Sequence, residues 1–337
     1  MLLDNKECGA NIALPLSHTT TLIQEKRMIY VLYENEDWLP PLTAALSRQN
    51  IPYTPLFTKE NAIDITKAPP KGVYINRMSP SSHTRGNQTG VSYTKEFLWQ
   101  LEMNGLPIIN GSSSFALELS KVRQHAALES FGIKTPKTVA VVGTDGLVEA
   151  AKQFTPPFIT KHNQGGKGLG VQIFYTMEAF EKSMKENGFA SSPDNINLIQ
   201  QYIEPKEPFI TRIEIVNGTF QYALQSSTKG GFELCPADAC NIDDAFCPVG
   251  SEAESNKFQL RRDIDDTHPL VQKYIAFCAK HNIDVAGIEF VEDKSGVAYT
   301  YDINCTTNYN ATVEKESGTR GMDAIATLAK ERLSKIT

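Results

Sequence analysis

Two stretches of the sequence carry residue types and spacings suited to phosphate and metal chemistry. The first is Lys161-His-Asn-Gln-Gly-Gly-Lys-Gly-Leu-Gly170. Gly165, Gly166, Gly168 and Gly170 place four glycines within six residues. Their backbone N–H groups are not covered by side chains, so such a loop can approach phosphate oxygens closely. Lys161 and Lys167 bracket it with positive charge. It is not a Walker A loop, because no Ser or Thr follows the lysine, and it lacks the spacing of the dinucleotide-binding fingerprint. The same composition also suits a plain mobile turn, and the two lysines are what favour phosphate.

The second stretch is a carboxylate hairpin. Glu289 lies in Gly287-Ile-Glu-Phe-Val291, and Asp302 and Asn304 lie in Tyr301-Asp-Ile-Asn304. Two residues apart on a strand, Asp302 and Asn304 share a face, and a short turn lets Glu289 reach it. Two carboxylates and an amide oxygen make a hard, oxygen-only site, which suits magnesium held together with substrate phosphates. The alternative is the solvent-facing half of an alternating strand.

The elements that must position these residues follow from periodicity. Strands are expected at Met28 to Tyr33, Pro52 to Phe57, Gly72 to Ile75 and Pro107 to Asn110, with helices at Trp38 to Arg48 and Thr94 to Gly105. That alternation predicts a parallel α/β domain over residues 27–115, after an N-terminal extension over residues 1–26. Ser120 caps a helix that stops at Gly132. Beyond it, strands Phe158 to Lys161, Val171 to Tyr175 and Asn197 to Ile203 precede a hairpin turning at Asn217-Gly218. The helix Leu270 to Cys278, the Glu289 and Asp302 hairpin, and a final helix Asp323 to Leu333 make the remainder α+β with antiparallel sheets.

The bulk numbers exclude several classes. The chain has 337 residues, 41% hydrophobic and 21% charged, with a net charge of −6. These are globular values, and the acidic balance argues against nucleic-acid binding and against an anionic membrane surface. No apolar run reaches membrane-span length, and Met1 to Lys26 lacks the form of a signal peptide, so a cytoplasmic location is expected. Cys8, Cys235, Cys240, Cys247, Cys278 and Cys305 form no CxxC pair and read as free thiols. One of the cluster Cys235, Cys240 and Cys247 is a candidate for lining a substrate pocket. His125, His162 and His281 have no evident triad partners and read as structural or surface residues.

In order along the chain stand Ser120-Lys121, Phe158-Ile-Thr-Lys161, the glycine loop, Leu198-Ile-Gln-Gln-Tyr-Ile203, Thr211-Arg212, Glu289 and Asp302-x-Asn304. In this set the chain resembles the ATP-grasp superfamily of carboxylate–amine ligases, most closely the RimK-type glutamate-ligase branch. The resemblance implies an N-terminal parallel pre-ATP-grasp domain followed by a two-lobed ATP-grasp fold over residues 116–337, with a lid at about 138–203 and a catalytic lobe at about 204–337. It implies ATP and magnesium, usually two ions, with manganese as an alternative. Lys121 and Lys161 would contact the ATP phosphates from opposite sides. Lys167 would close over them with Gly165, Gly166, Gly168 and Gly170. Gln200, Gln201, Tyr202 and Ile203 would form the adenine hinge. Arg212 would stabilise charge on the transferred phosphate, and Glu289, Asp302 and Asn304 would hold the metal.

The activity so implied is amide-bond formation through an acyl phosphate, with release of ADP and phosphate, on a small-molecule or peptide substrate. Two other activities fit the same residues: a kinase that stops after phosphoryl transfer, and a nucleotide-binding regulator without turnover. Relatives of this type are often homo-oligomers. The chain departs from the pattern in carrying Glu then Asp as its metal carboxylates, and in having no second arginine in Leu224 to Lys229. Candidate substrate contacts are Arg77 and Arg85 in the loop after a parallel strand, and Asn308, Asn310 and Arg320 after the metal strand.

Overall fold

The computed structural model describes residues 27–59, 61–166, 171–190, 192–228 and 257–336. Lys167, Gly168, Gly170, the first 26 residues and Cys8, Cys235, Cys240 and Cys247 lie outside the described residues, and so do the readings attached to them.

The chain opens with β1 (Met28–Tyr33), α1 (Pro40–Arg48), β2 (Tyr53–Phe57) and β3 (Gly72–Arg77). Then come α2 (Gln88–Met103), β4 (Ile108–Ile109) and α3 (Ser112–Glu118). The four strands form one parallel sheet in the order β2-β1-β3-β4. Every residue of β3 is buried, as expected for a parallel strand covered on both faces. Its polar end, Asn76-Arg77, therefore delivers a buried guanidinium to the carboxyl edge of the sheet. Pro40 and Pro41 open α1, where their missing N–H groups cost nothing. The helix expected from Thr94 starts earlier, at Gln88, and takes in Gly90. A Cβ on Gly90 would meet the side chain of Asn87, the residue before the helix, at 2.5 Å, so glycine leaves room for that side chain.

A second sheet holds β5 (Thr138–Val142), β6 (Phe158–His162), β7 (Gln172–Phe174) and β8 (Ile196–Gln201). It is antiparallel in the order β5-β8-β6-β7. The helix α4 (Lys121–Ser130) precedes it, and α5 (Leu147–Ala151) and α6 (Met177–Asn187) lie between its strands in sequence. Phe154, Phe158, Phe174 and Phe180 fill its core. The strand β5 and the helices α5 and α6 were not expected from periodicity.

The third sheet contains β9 (Phe209–Val216), β10 (Thr219–Ser227), β11 (Phe258–Leu260), β12 (Val285–Glu292) and β13 (Ala298–Asn304). Its order is β11-β10-β9-β12-β13, antiparallel throughout. Asn217 and Gly218 join β9 to β10 with φ of 50° and 69°, the two positive values a tight hairpin turn demands. The helices α7 (Pro269–Lys280), α8 (Ala311–Ser317) and α9 (Gly321–Ser334) complete the chain. α7 supplies Val271, Tyr274, Phe277 and Cys278 to the core on one face of this sheet. The core on the opposite face unites α9 with α1, β1 and β3, so the C-terminal helix joins the N-terminal sheet to the third sheet. Arg332 of α9 fastens this joint through Asp284 and the Ile108 carbonyl.

Candidate active site

A single cleft is lined by strands of the second and third sheets and, from the N-terminal region, by Trp38 and Ser79 to Ser81. Its chemistry starts at α4. The Ser120 hydroxyl caps this helix by accepting from the Arg123 N–H. Asn163, just after β6, holds the same helix end: its carbonyl accepts from the Lys121 N–H at 3.2 Å and its side chain from the Val122 N–H at 2.9 Å. Lys121 is thereby fixed beside the second sheet, and its Nζ forms an ion pair with Oδ1 of Asp302 on β13.

Strand register sets the carboxylates. Glu289 on β12 is directly opposite Asp302 on β13 and opposite Arg212 on β9. The Arg212 guanidinium bonds Glu289 at 2.9 Å, Glu214 at 2.6 Å and the Thr307 hydroxyl. It lies flat against Gly287, where a Cβ would come within 2.2 Å of its Nη2. The Asn304 amide donates to Glu289 at 3.5 Å, leaving its carbonyl oxygen for another partner. Glu289, Asp302 and Asn304 thus share one face, together with Arg212.

A shift of register between Glu289 and Phe290 gives β13 an extra residue, Tyr301. Strict alternation would turn Tyr301 away from Asp302, yet both line the cleft. The Tyr301 ring lies 5.8 Å from the ammonium of Lys161 on β6.

These groups perturb one another. Burial, followed by the charge on Lys121, lowers Lys161 to about 8. Burial raises Asp302, but Lys121 and Lys161 outweigh it and hold the carboxyl below the usual range. Glu289 moves up, because burial and the nearby Asp302 exceed the pull of Arg212. Burial depresses Arg212 as well, and its two carboxylates reverse that, keeping the guanidinium charged.

The hinge between the second and third sheets is built by Gln200 to Ile203. Gln201 is exposed and bonds the Lys137 backbone through both its N–H and its side chain. Gln200 is buried and donates to Thr138 at 2.8 Å beside His125, a neutral imidazole that burial and then Lys161 lower to about 3. Ile203, Ile210 and Val291 form an apolar cluster against Tyr299 and Tyr301, and all but Tyr299 line the cleft.

Not every expected residue arrives in the cleft. Gly165 and Gly166 line it, with Gly166 close to Ser81. Asn308 lines it too. Arg77 does not line it; the guanidinium donates to the Thr307 carbonyl at 2.7 Å and to Asn308 Oδ1 at 2.6 Å. Arg85 pairs with Glu34, donates to Ser81 and covers the Trp38 ring at 4.7 Å. Both guanidiniums bond protein groups. Arg320 lies at the start of α9, largely exposed and 3.8 Å from Asp323, away from the cleft. Asn310 caps α8 through the Val313 N–H.

Sequence reasoning missed two carboxylates. Glu118, at the end of α3, accepts from the Cys305 N–H at 3.0 Å and the Thr306 N–H at 2.7 Å, and burial lifts it to about 7. Glu214 anchors Arg212 and Thr307 from behind. Both lie in apolar stretches with no motif, so only the fold reveals them. Among the described residues, no cluster of three or more His, Cys, Asp or Glu could hold a metal ion, and no helix is long and apolar enough to cross a membrane.

No family model and no curated protein matches this chain. Solved structures do. D-alanyl-alanine synthetase A from Vibrio cholerae aligns over 92% of this chain and 99% of its own, at 14% identity and a TM-score of 0.64. A RimK domain ATP-grasp protein from Sphaerobacter thermophilus covers 89% and 98%, at 13% identity and 0.61. The ATP-grasp ligase PsnB, solved with a minimal precursor, Mg and ADP, covers 90% and 97%, at 11% identity and 0.60. The chain has the ATP-grasp fold. Lys161, Gln200 and Gln201 of the second sheet and Arg212, Glu289 and Asp302 of the third line the same cleft.

Proposed function

We propose that this protein is an ATP- and magnesium-dependent ligase that joins a carboxylate to an amine, releasing ADP and phosphate. The observation that carries the reading is the convergence of Lys121, Lys161 and Arg212 with Glu289, Asp302 and Asn304 on one cleft beside an apolar slot. The likeness to D-alanyl-alanine synthetase A and to PsnB supports the same reading.

The donor set fits magnesium: two opposed carboxylates and a spare amide oxygen, to be completed by phosphate oxygens and water. Glu289, Asp302 and Asn304 would hold it, as one or two ions, and when bound it would neutralise charge on the phosphates. The protein's own groups supply the rest. The slot of Ile203, Ile210 and Val291 takes the adenine, while backbone groups of Gln201 to Ile203 read its edge. Lys121 and Lys161 fix the phosphates, and Gly165 and Gly166 let backbone come close. A substrate carboxylate oxygen then attacks the γ-phosphorus, the bond from phosphorus to the β,γ-bridging oxygen breaks, and ADP leaves with that electron pair; Arg212, held rigidly by Glu214 and Glu289, offsets the charge that gathers in the transition state. The acyl phosphate so formed is attacked by an amine. The C–N bond forms, the C–O bond to phosphate breaks, phosphate leaves with the electron pair, and the amine proton is released. Lys167, Gly168 and Gly170 complete the lid in this reading.

We read residues 27–115 as the pre-ATP-grasp domain and 116–337 as the ATP-grasp domain, working on a small-molecule or peptide substrate in the cytoplasm, without nucleic acid or membrane. ADP release across pooled carboxylates and amines, with mass spectrometry of the products, tests the proposal. A condensed product formed with ADP supports it. A phosphorylated product without condensation indicates a kinase, and ATP binding without turnover indicates a regulator.

A further inference from the structure

The three nitrogens of the Arg212 guanidinium each meet a different group. Nε donates to Oε1 of Glu214 at 2.6 Å, Nη1 to Oε1 of Glu289 at 2.9 Å, and Nη2 to the hydroxyl of Thr307. That hydroxyl has one proton of its own to give. Its nearest acceptor is Oε2 of Glu214 at 3.0 Å, ahead of Oε1 at 3.2 Å and the Asn308 carbonyl at 3.4 Å. Arg212, Thr307 and Glu214 therefore close a ring of hydrogen bonds. Thr307 is 1% exposed and Glu214 is fully buried, so this ring lies in the protein interior. Arg212 lines the cleft and Thr307 does not.

A guanidinium beside a carboxylate favours edge-to-edge pairing through two parallel N–H···O bonds. Arg212 makes one of these to Glu214 directly, and the Thr307 hydroxyl occupies the place of the second. The atom at that place must accept from a cation and donate to an anion. A hydroxyl does both; an ammonium, a carboxylate or an apolar group does not. The N-terminal sheet sets where the hydroxyl sits, because Arg77 at the end of β3 donates to the Thr307 carbonyl at 2.7 Å.

We infer that Thr307 is a positioning residue for Arg212: its hydroxyl is a spacer that keeps the guanidinium from closing edge-on against Glu214 and leaves it turned toward Glu289 and the cleft. This rests on the ligase reading above, which gives Arg212 its part in phosphoryl transfer.

Thr307→Val keeps the shape of the side chain and removes both bonds. With the full chain, Mg-ATP and pooled carboxylates and amines, kcat for ADP release should fall by at least about tenfold, the scale of losing a hydrogen bond to a charged group, while KM for ATP changes little. Thr307→Ser should recover most of the loss. In an Arg212→Lys background, Thr307→Val should have little further effect, since no guanidinium is left to misplace. Unchanged kcat in Thr307→Val, or the same fall in both backgrounds, overturns the inference, and condensed product from the unsubstituted protein then leaves the ligase reading standing. Should Thr307→Val not fold, Thr307→Cys, whose thiol is a weak donor and acceptor, replaces it in every arm. Nitrogen NMR of the arginine side chains reads the same geometry without turnover. The Arg212 Nε–H resonance, assigned by its loss in Arg212→Lys, should shift in Thr307→Val and return in Thr307→Ser; an unmoved resonance overturns the inference. Absence of condensed product from the unsubstituted protein overturns the ligase reading, and the resonance then decides whether Thr307 positions Arg212.

Discussion

Lys121 and Asp302 are 181 residues apart in sequence and form an ion pair at the centre of the cleft. One is the first residue of α4 and the other sits beside the bulge of β13, so the pair joins the element that precedes the second sheet to the strand that carries the proposed metal ligands. Lys121 is therefore the counter-ion of a carboxylate that the proposed function assigns to magnesium. Substituting Lys121→Met keeps the length of the side chain and removes the charge. Turnover should fall by on the order of a hundredfold, as expected for losing a charged group in a preorganised site. The uncompensated Asp302 should lower stability by about 3 kcal/mol, the scale for breaking a buried pair. Manganese without nucleotide should bind this variant more tightly than the unsubstituted enzyme, as read by paramagnetic resonance of the free ion; unchanged binding would sink the counter-ion role.

Gly287 owes its identity to Arg212. With a Cβ 2.2 Å from Nη2, an alanine forces either β12 or the guanidinium to move. Gly287→Ala should cost about 2 kcal/mol in denaturant unfolding, in the range of overpacked sites. It should also reduce turnover more than ATP affinity, because Arg212 is the group displaced. An alanine variant with normal kcat contradicts the assigned position of Arg212.

Lys161 predicts opposite pH trends for stability and for nucleotide affinity. Its folded value is near 8 against an ordinary 10.5, so the folded protein gives up this proton before the unfolded chain does. Stability should rise as pH climbs from about 8 to 10.5, with a contribution on the order of 3 kcal/mol that is absent below pH 8. Phosphate binding needs the charged form, so ATP affinity should weaken over the same interval. Unfolding curves and ATP titrations at matched pH measure both, and Lys161→Met should flatten both profiles.

Arg77 holds the Thr307 to Asn308 loop against the N-terminal sheet through one buried and one part-buried bond. Arg77→Ala should destabilise the protein by about 3 kcal/mol, the scale of losing bonds to a charged donor. Because Asn308 lines the cleft on an element apart from the Gln200 to Ile203 hinge, KM for a co-substrate should rise while KM for ATP changes little. If KM for ATP rises in parallel, the loop is not specific to the co-substrate. Arg77→Lys should recover part of the stability and little of the loop geometry, since an ammonium cannot make the forked contact.

Much of the site is legible in the amino-acid sequence by itself. Asp302 and Asn304 share a face because side chains alternate along a strand, and Glu289 joins them because a short turn keeps the two strands adjacent. Asn217-Gly218 names its own turn, and Ser120 names the start of α4, because both act on backbone groups within three residues. These are local rules, and composition along the chain suffices to apply them. The tertiary structure decided what depends on partners far away in sequence. It paired Arg77 and Arg85 with protein groups, brought Glu118 and Glu214 to the site without any motif, and placed Arg320 beside Asp323. It also added one residue to β13, which local alternation excludes, so that Tyr301 and Asp302 both face the cleft. A charge reads the same in sequence whether it is free or paired; only the fold brings up the partner that makes the difference.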